Sequence, residues 1–169
     1  MNIAYASRRI GVSLIRVLLV EDSQAEAVLV QHTLKLVTTT KLELVHVKSL
    51  TEAIAAVRKS EFDVVLLDLG LPESRGLETF LYFHQQAPHV PTIVLSGLDD
   101  EDVAVMTVQS GAQDYLVKGR ADSDLLVRSM RYAIERKRVQ EELRQRNEQL
   151  NEDPALAREF QRAFLPRYY

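Results

Sequence analysis

The sequence predicts an α/β domain in which five parallel strands form one sheet with helices on both faces. Three observations lead there. Short apolar, β-branched runs recur along the chain, and helix-length stretches with apolar residues three and four apart separate them. The permissive residues Gly70, Pro72, Gly97 and Gly119 fall just past the C-terminal ends of the runs. Strands that alternate with helices pair in parallel and are buried on both sides, so they read as continuous apolar runs. In an open sheet of this kind the ligand crevice lies outside the strands' C-terminal ends.

The elements follow in order. RVLLV (16–20) is the first strand, and a helix over about Gln24–Val37 follows, with Ala25, Val28, Leu29 and Leu36 as its apolar stripe. LELVHV (42–47) is the second strand. The next helix, 51–59, carries Ala53, Ile54 and Val57; Ser49 caps it and Glu52, three residues on, completes a capping box. DVVLLD (63–68) is the third strand, and its helix, 77–86, ends before Pro88. PTIVLS (91–96) is the fourth, and the helix over 101–110 stops at Gly111, which serves as its C′ glycine. DYLV (114–117) closes the sheet.

A last periodic segment runs from Asp124 to about Asn151 without Gly or Pro. Its first half, with Leu125, Leu126, Met130, Ala133 and Ile134, can cover the sheet. Its second half is almost wholly polar. A helix of about 28 residues is roughly 42 Å long, more than the breadth of a small domain, so the polar half must project. Tyr132 and Val139 at d with Leu143 and Leu150 at a give a short heptad seam that Arg136 and Arg146 interrupt. Self-association through this helix is expected; the alternative is a solvated helix held by pairs such as Glu142–Arg146.

At 169 residues the chain exceeds one domain of roughly 150. A net charge of −3 provides no global basic field for nucleic acid, so no nucleic-acid partner is expected. The absence of cysteine excludes disulfides, zinc–thiolate sites and thiol nucleophiles. No run approaches the roughly 18 apolar residues of a membrane span, so no membrane partner is expected. Ser7-Arg8-Arg9 faintly resembles a twin-arginine signal, but Arg16 and Glu21-Asp22 break the apolar run behind it. The expectation is a cytoplasmic protein with residues 1–14 as a flexible extension.

Glu21 and Asp22 follow the first strand, Asp68 ends the third, Ser96 ends the fourth and Lys118 follows the fifth. A parallel sheet brings these distant residues to one crevice. Three carboxylates gathered there repel one another unless a cation is present. An all-oxygen set suits Mg2+, with Mn2+ as the alternative, and a hydroxyl and an ammonium on the opposite rim would complete a cradle for a phosphoryl group. The four histidines show no metal-ligand spacing.

The motifs VLLVED, VVLLDLGLP, TIVLSG and GAQDYLVKG, in this order, resemble the receiver domain of two-component response regulators over about residues 15–135. The resemblance implies a flavodoxin-like fold of strand order 2-1-3-4-5 and a phospho-accepting signalling role, not an enzyme's. It implies Asp68 as phospho-acceptor, Asp22 as a direct Mg2+ ligand, Glu21 acting through metal-bound water, and the Gly70 backbone carbonyl as a further ligand. Ser96 would hydrogen-bond the phosphoryl group, Lys118 would ion-pair with it, and Tyr115 would be the aromatic that turns inward with Ser96. The donor would be a histidine kinase or phosphotransfer protein. Two positions depart from the family's pattern. Gly119 stands where proline is common, so a trans peptide is expected there. Gly70 offers no side chain beside the phosphoryl group, at a position on which the family's autodephosphorylation rate depends.

Ala157, Arg158, Gln161, Leu165 and Pro166 resemble the opening of PP2C-like serine phosphatase domains of bacterial stress regulators. The division expected is a receiver over 15–134, a helical linker over 135–152, a coiled coil in the dimeric reading, and the start of a truncated output domain over 153–169. An anti-sigma-factor-type regulator would be the downstream partner of such a phosphatase. A diguanylate cyclase output and a phosphorylation-independent interaction module are the alternatives. A haloacid-dehalogenase-type phosphatase would need an aspartate at position 70, and a nucleotide-binding module would need a Gly-rich phosphate cradle that the chain lacks.

Overall fold

The computed structural model describes residues 14–97 and 101–152. Ten elements alternate: β1 (Ile15–Val20), α1 (Gln24–Lys35), β2 (Leu42–Val47), α2 (Leu50–Lys59), β3 (Val64–Asp68), α3 (Leu77–Gln86), β4 (Thr92–Ser96), α4 (Glu101–Gln109), β5 (Asp114–Val117) and α5 (Ser123–Glu152). The five strands form one parallel sheet of order β2-β1-β3-β4-β5. The fold is the expected flavodoxin-like one. Among the described residues, no helix is long and apolar enough to cross a membrane.

Alternate residues along each strand face opposite sides, so the sheet has two cores. Val17, Leu19, Leu66, Ile93 and Leu95 pack with Ala27 and Leu34 of α1 and with Leu126, Met130 and Ala133 of α5. Leu18, Val20, Val65, Leu67 and Val94 pack with Leu50 and Ala53 of α2 and with Phe80 and Phe83 of α3. α2 starts as its sequence predicts: the Glu52 N–H donates to Ser49 Oγ at 3.2 Å. The Glu52 carboxylate reaches one residue further back than a capping box requires, to the Lys48 N–H at 2.8 Å. Gly111, with φ at +118°, follows α4 as expected.

The apolar stripe expected on α1 is corrected. Ala25, Val28, Leu29 and Leu36 are exposed, while Ala27 and Leu34 are buried and Val30 and Val37 pack against their core. The buried set also sits at helical spacing, three and four apart. α1 therefore offers two apolar faces, and the sheet takes the one that carries Ala27 and Leu34.

α5 runs unbroken for 30 residues, about 45 Å. Its first turn is capped by Asp122, whose Oδ1 accepts the Leu125 N–H at 2.8 Å. Where α5 leaves the sheet, Arg136 donates to the Gln113 carbonyl at 2.7 Å and Lys137 to the Pro88 carbonyl at 2.6 Å. Beyond that point the expected Glu142–Arg146 pair is replaced. Arg138 takes both Glu135 and Glu142, and Arg144 takes both Glu141 and Glu148. A guanidinium fork serves carboxylates one turn before and after it, so each arginine gains two partners. Tyr132, Val139 and Leu143 are exposed along this helix.

The corrected α1 face sets an expected outcome. Leu34 is 5% exposed and Leu29 55%. Leu34→Ala is expected to cost about 2–5 kcal/mol and Leu29→Ala no more than about 0.5, measured by urea unfolding. The opposite ranking would reinstate the other face.

Candidate functional site

Strand register assembles the site. Val20 pairs with Leu67, Asp68 with Leu95, and Ser96 with Val117. Glu21, Asp68, Ser96 and Lys118 therefore end their strands along one edge of the sheet. The Lys118 N–H donates to the Ser96 carbonyl at 2.8 Å and the Glu21 N–H to the Val47 carbonyl at 3.0 Å, extending the ladders by one residue into the crevice.

An ammonium among three carboxylates forms the centre. Lys118 Nζ lies 2.8 Å from Glu21 Oε2 and 2.9 Å from Asp68 Oδ1, and it also bonds the Glu26 carboxylate. Oxygen atoms of Glu21, Glu26 and Asp68 lie within 4.8 Å of one another. Glu21 is fully buried. The Ser23 N–H holds its Oε1 at 3.1 Å. His46 Nε2 stands 2.7 Å from the Glu21 backbone carbonyl; a carbonyl only accepts, so this nitrogen carries the hydrogen. Asp68 Oδ1 also accepts the Gly70 N–H at 3.1 Å. Among the described residues Asp68 Oδ2 has no such partner.

Burial pushes the Glu21 carboxyl up to about 7, with the neighbouring Asp68 charge adding and Lys118 opposing. Burial would pull the Lys118 ammonium down, but its bonds to Glu21, Glu26 and Asp68 outweigh this and hold it well above the usual lysine range. Lys118 in turn holds the Glu26 carboxyl below its ordinary value.

Of the residues singled out by sequence, Glu21, Asp68 and Lys118 are in direct contact. Ser96 is buried at the end of β4, and its hydroxyl has no hydrogen-bond partner among the described residues. Tyr115 lies half-buried on β5 against the α2–α3 core. Asp22 lies exposed between β1 and α1, outside the carboxylate cluster. Gly70 is exposed beside Asp68, and a Cβ there would stand 3.5 Å from Asp68 Oδ2 in ordinary contact. The Lys118–Gly119 peptide is trans, as expected, and Gly119 has φ at +75°, which proline cannot adopt. Glu26 is the residue sequence reasoning missed. Its signal is the Ser23-x-x-Glu26 spacing directly behind Glu21-Asp22, which places a third carboxylate in the first turn of α1.

The donor set fits a hard divalent cation. Glu21 and Asp68 offer oxygen atoms at one point, no sulfur or imidazole joins the cluster, and the carboxylates outnumber the one ammonium that now offsets them. An open groove lined by Glu21, Glu26, Leu29, Lys118 and Gly119 among others leads to it.

Fold and crevice together define a flavodoxin-like α/β domain built around a strand-end aspartate paired with a lysine. The chain belongs to the response regulator receiver domain family, whose model matches residues 17–130. A receiver domain is a phospho-accepting signalling module, not a catalytic enzyme. The transcriptional regulatory protein ZraR of Klebsiella oxytoca is 33% identical over 90 residues, which are 53% of this chain and 20% of ZraR. The chain thus spans about a fifth of that relative's length. A response regulator receiver domain protein from Clostridium thermocellum shares the fold, with a TM-score of 0.64 at 24% identity over 74% of this chain and 98% of its own. The Mn2+-bound form of response regulator Rcp1 has a TM-score of 0.55 at 30% identity, covering 69% of this chain and 89% of its own.

The Glu21 environment predicts a pH dependence for the metal-free protein. A carboxyl raised from 4.5 to about 7 binds its proton more tightly when folded, so its contribution is fully present below about pH 4.5. It is lost as pH rises through about 7. Melting temperatures in a chelating buffer, followed from about pH 5 to 8, are expected to fall more steeply for wild type than for Glu21→Gln. Parallel curves would contradict the assignment.

Proposed function

We propose that Asp68 accepts a phosphoryl group from the phosphohistidine of a histidine kinase or phosphotransfer protein, and that α5 relays the change to an output domain. The observation that carries this reading is the pairing of buried Asp68 with Lys118 beside Glu21. Lys118 and the Gly70 N–H both engage Oδ1, which leaves Oδ2 as the nucleophile. The phosphorus–nitrogen bond to the donor imidazole breaks as the phosphorus–Oδ2 bond forms, and the imidazole nitrogen regains a proton.

Lys118 offsets the negative charge of the incoming group, and the buried Ser96 hydroxyl donates to one of its oxygens. A shift of Ser96 toward that oxygen opens space along β4, and Tyr115 on the adjacent strand turns into it. Glu21 and Asp22, with Asp68 and the Gly70 carbonyl, would hold Mg2+ or Mn2+, which when bound neutralises charge on the phosphoryl oxygens. Gly70 leaves Asp68 Oδ2 open to water as well as to donor.

Residues 15–134 form the receiver in this reading and 135–152 the linker. Arg136, which falls on the heptad seam, is committed to the Gln113 carbonyl of its own domain, so pairing of two α5 helices would begin beyond it, at Val139 and Leu143. The PP2C-like resemblance of residues 157–166 lies outside the described residues. It supports a serine phosphatase output acting on an anti-sigma-factor-type regulator.

A small-molecule phosphodonor with Mg2+ is expected to add one phosphoryl mass to the chain, seen by intact-mass measurement in cold acid. Chelation of the metal or Asp68→Asn is expected to remove the adduct, and its persistence in Asp68→Asn would sink the assignment. Light scattering on chains ending at Ile134 and at Tyr169 is expected to give a monomer and a dimer. Two monomers would remove the paired-helix reading.

A further inference from the structure

We propose that Glu26 is the exchangeable holder of Lys118, a positioning residue that accepts from the ammonium in the unmodified domain and releases that Lys118 N–H to the phosphoryl group. The inference rests on the reading of Asp68 as phospho-acceptor. A lysine ammonium has three donors and no more. Here the ammonium donates a hydrogen bond to Glu26 and lies at ion-pair distance from Glu21 and Asp68, 2.8 and 2.9 Å away. A phosphoryl oxygen that claims Lys118 must therefore compete with carboxylates that already surround it.

The three acceptors differ in what their release costs. The Glu21 side chain is 0% exposed, and its other oxygen is held by the Ser23 N–H. The Asp68 side chain is 8% exposed and also held by the Gly70 N–H. Stripping the ammonium from either leaves a buried carboxylate without its counter-charge. The Glu26 side chain is 49% exposed, and among the described residues Lys118 is its one cationic partner. An exposed ion pair is weak, and its carboxylate returns to water with little loss. Glu26 is the partner that lets go.

Local sequence explains why Glu26 is available. In the Ser23-x-x-Glu26 spacing the glutamate would ordinarily fold back onto the Ser23 N–H. That N–H is already bound to Glu21 Oε1, while Ser23 Oγ still accepts the Glu26 N–H at 3.4 Å. The Glu26 side chain, displaced from its own cap, turns to Lys118. A phosphoryl dianion placed on Asp68 adds repulsion against Glu26, which favours the exchange. Glu26 thus competes with the phosphoryl group for Lys118 and biases the domain toward its unmodified state.

Binding of beryllofluoride, a phosphoryl analogue, to the whole chain at fixed Mg2+ tests this by calorimetry or fluorine NMR. Glu26→Gln is expected to bind about two- to fivefold more tightly than wild type, the size of effect an exposed pair supports. Glu26→Asp keeps the charge but shortens the reach to Lys118, so it is expected to tighten binding as well. Tightening in Glu26→Gln alone would mean that only the local field matters, and would overturn the proposal. Unchanged or weaker binding in both variants would also overturn it. A wild-type chain that binds no beryllofluoride, or binds it equally well as Asp68→Asn, would sink the phospho-acceptor reading and the inference with it.

Discussion

The imbalance between three carboxylates and one ammonium at the sheet's C-terminal edge governs the rest of the structure. Glu21 and Asp68 are both buried carboxylates cut off from most of their hydration. Lys118 makes this tolerable because it reaches both. The same imbalance makes the site receptive: a divalent cation or a hydroxyl donor such as Ser96 meets groups whose electrostatic demands are only partly met. Stability is given up locally at the place where the domain must respond.

That concentration of charge needs a scaffold able to hold it. Continuous apolar runs give β1, β3 and β4 two buried faces, so the sheet is anchored from both sides by separate cores. Neither core has to yield when the strand ends change. His46, from β2 at the edge of the sheet, bonds the Glu21 carbonyl and fixes this buried glutamate through its backbone. The crevice side chains differ in freedom: Glu21 and Asp68 are pinned by backbone N–H groups, while Glu26 reaches in from the surface of α1.

The sequence made the sheet legible because buried parallel strands leave an unambiguous mark, and VVLLD or TIVLS has no other reading at that length. Asp68, Glu21, Ser96 and Lys118 were legible for the same reason, since topology alone brings strand ends together. The α1 stripe was not. Ala25, Val28, Leu29 and Leu36 and the observed Ala27, Val30, Leu34 and Val37 both satisfy helical spacing, and only contact with the sheet chooses between them. Glu26 was hidden by a related ambiguity. Its spacing from Ser23 marks a cap, and only the diversion of the Ser23 N–H to Glu21 redirects its side chain. Where one pattern serves two local purposes, tertiary structure decides.

α5 links the crevice edge of the sheet to its opposite edge through two attachments. It begins five residues after Lys118, beyond the positive-φ turn at Gly119, at the edge where the charges sit. It departs at the opposite edge, where Arg136 and Lys137 bond the carbonyls of Gln113 and Pro88 ahead of β5 and β4. Leu126, Met130 and Ala133 seat the span between on the sheet. In the proposed relay, a displacement of Lys118 and its turn would tilt a helix held at both ends of the strands against the Gln113 and Pro88 contacts. Both are single side-chain hydrogen bonds at the protein surface, which a shift of the helix would have to remake. The polar half beyond them is stiffened by Arg138 and Arg144, each bridging two glutamates, and in the proposed relay it would lengthen the lever between Asp68 and the far end of α5.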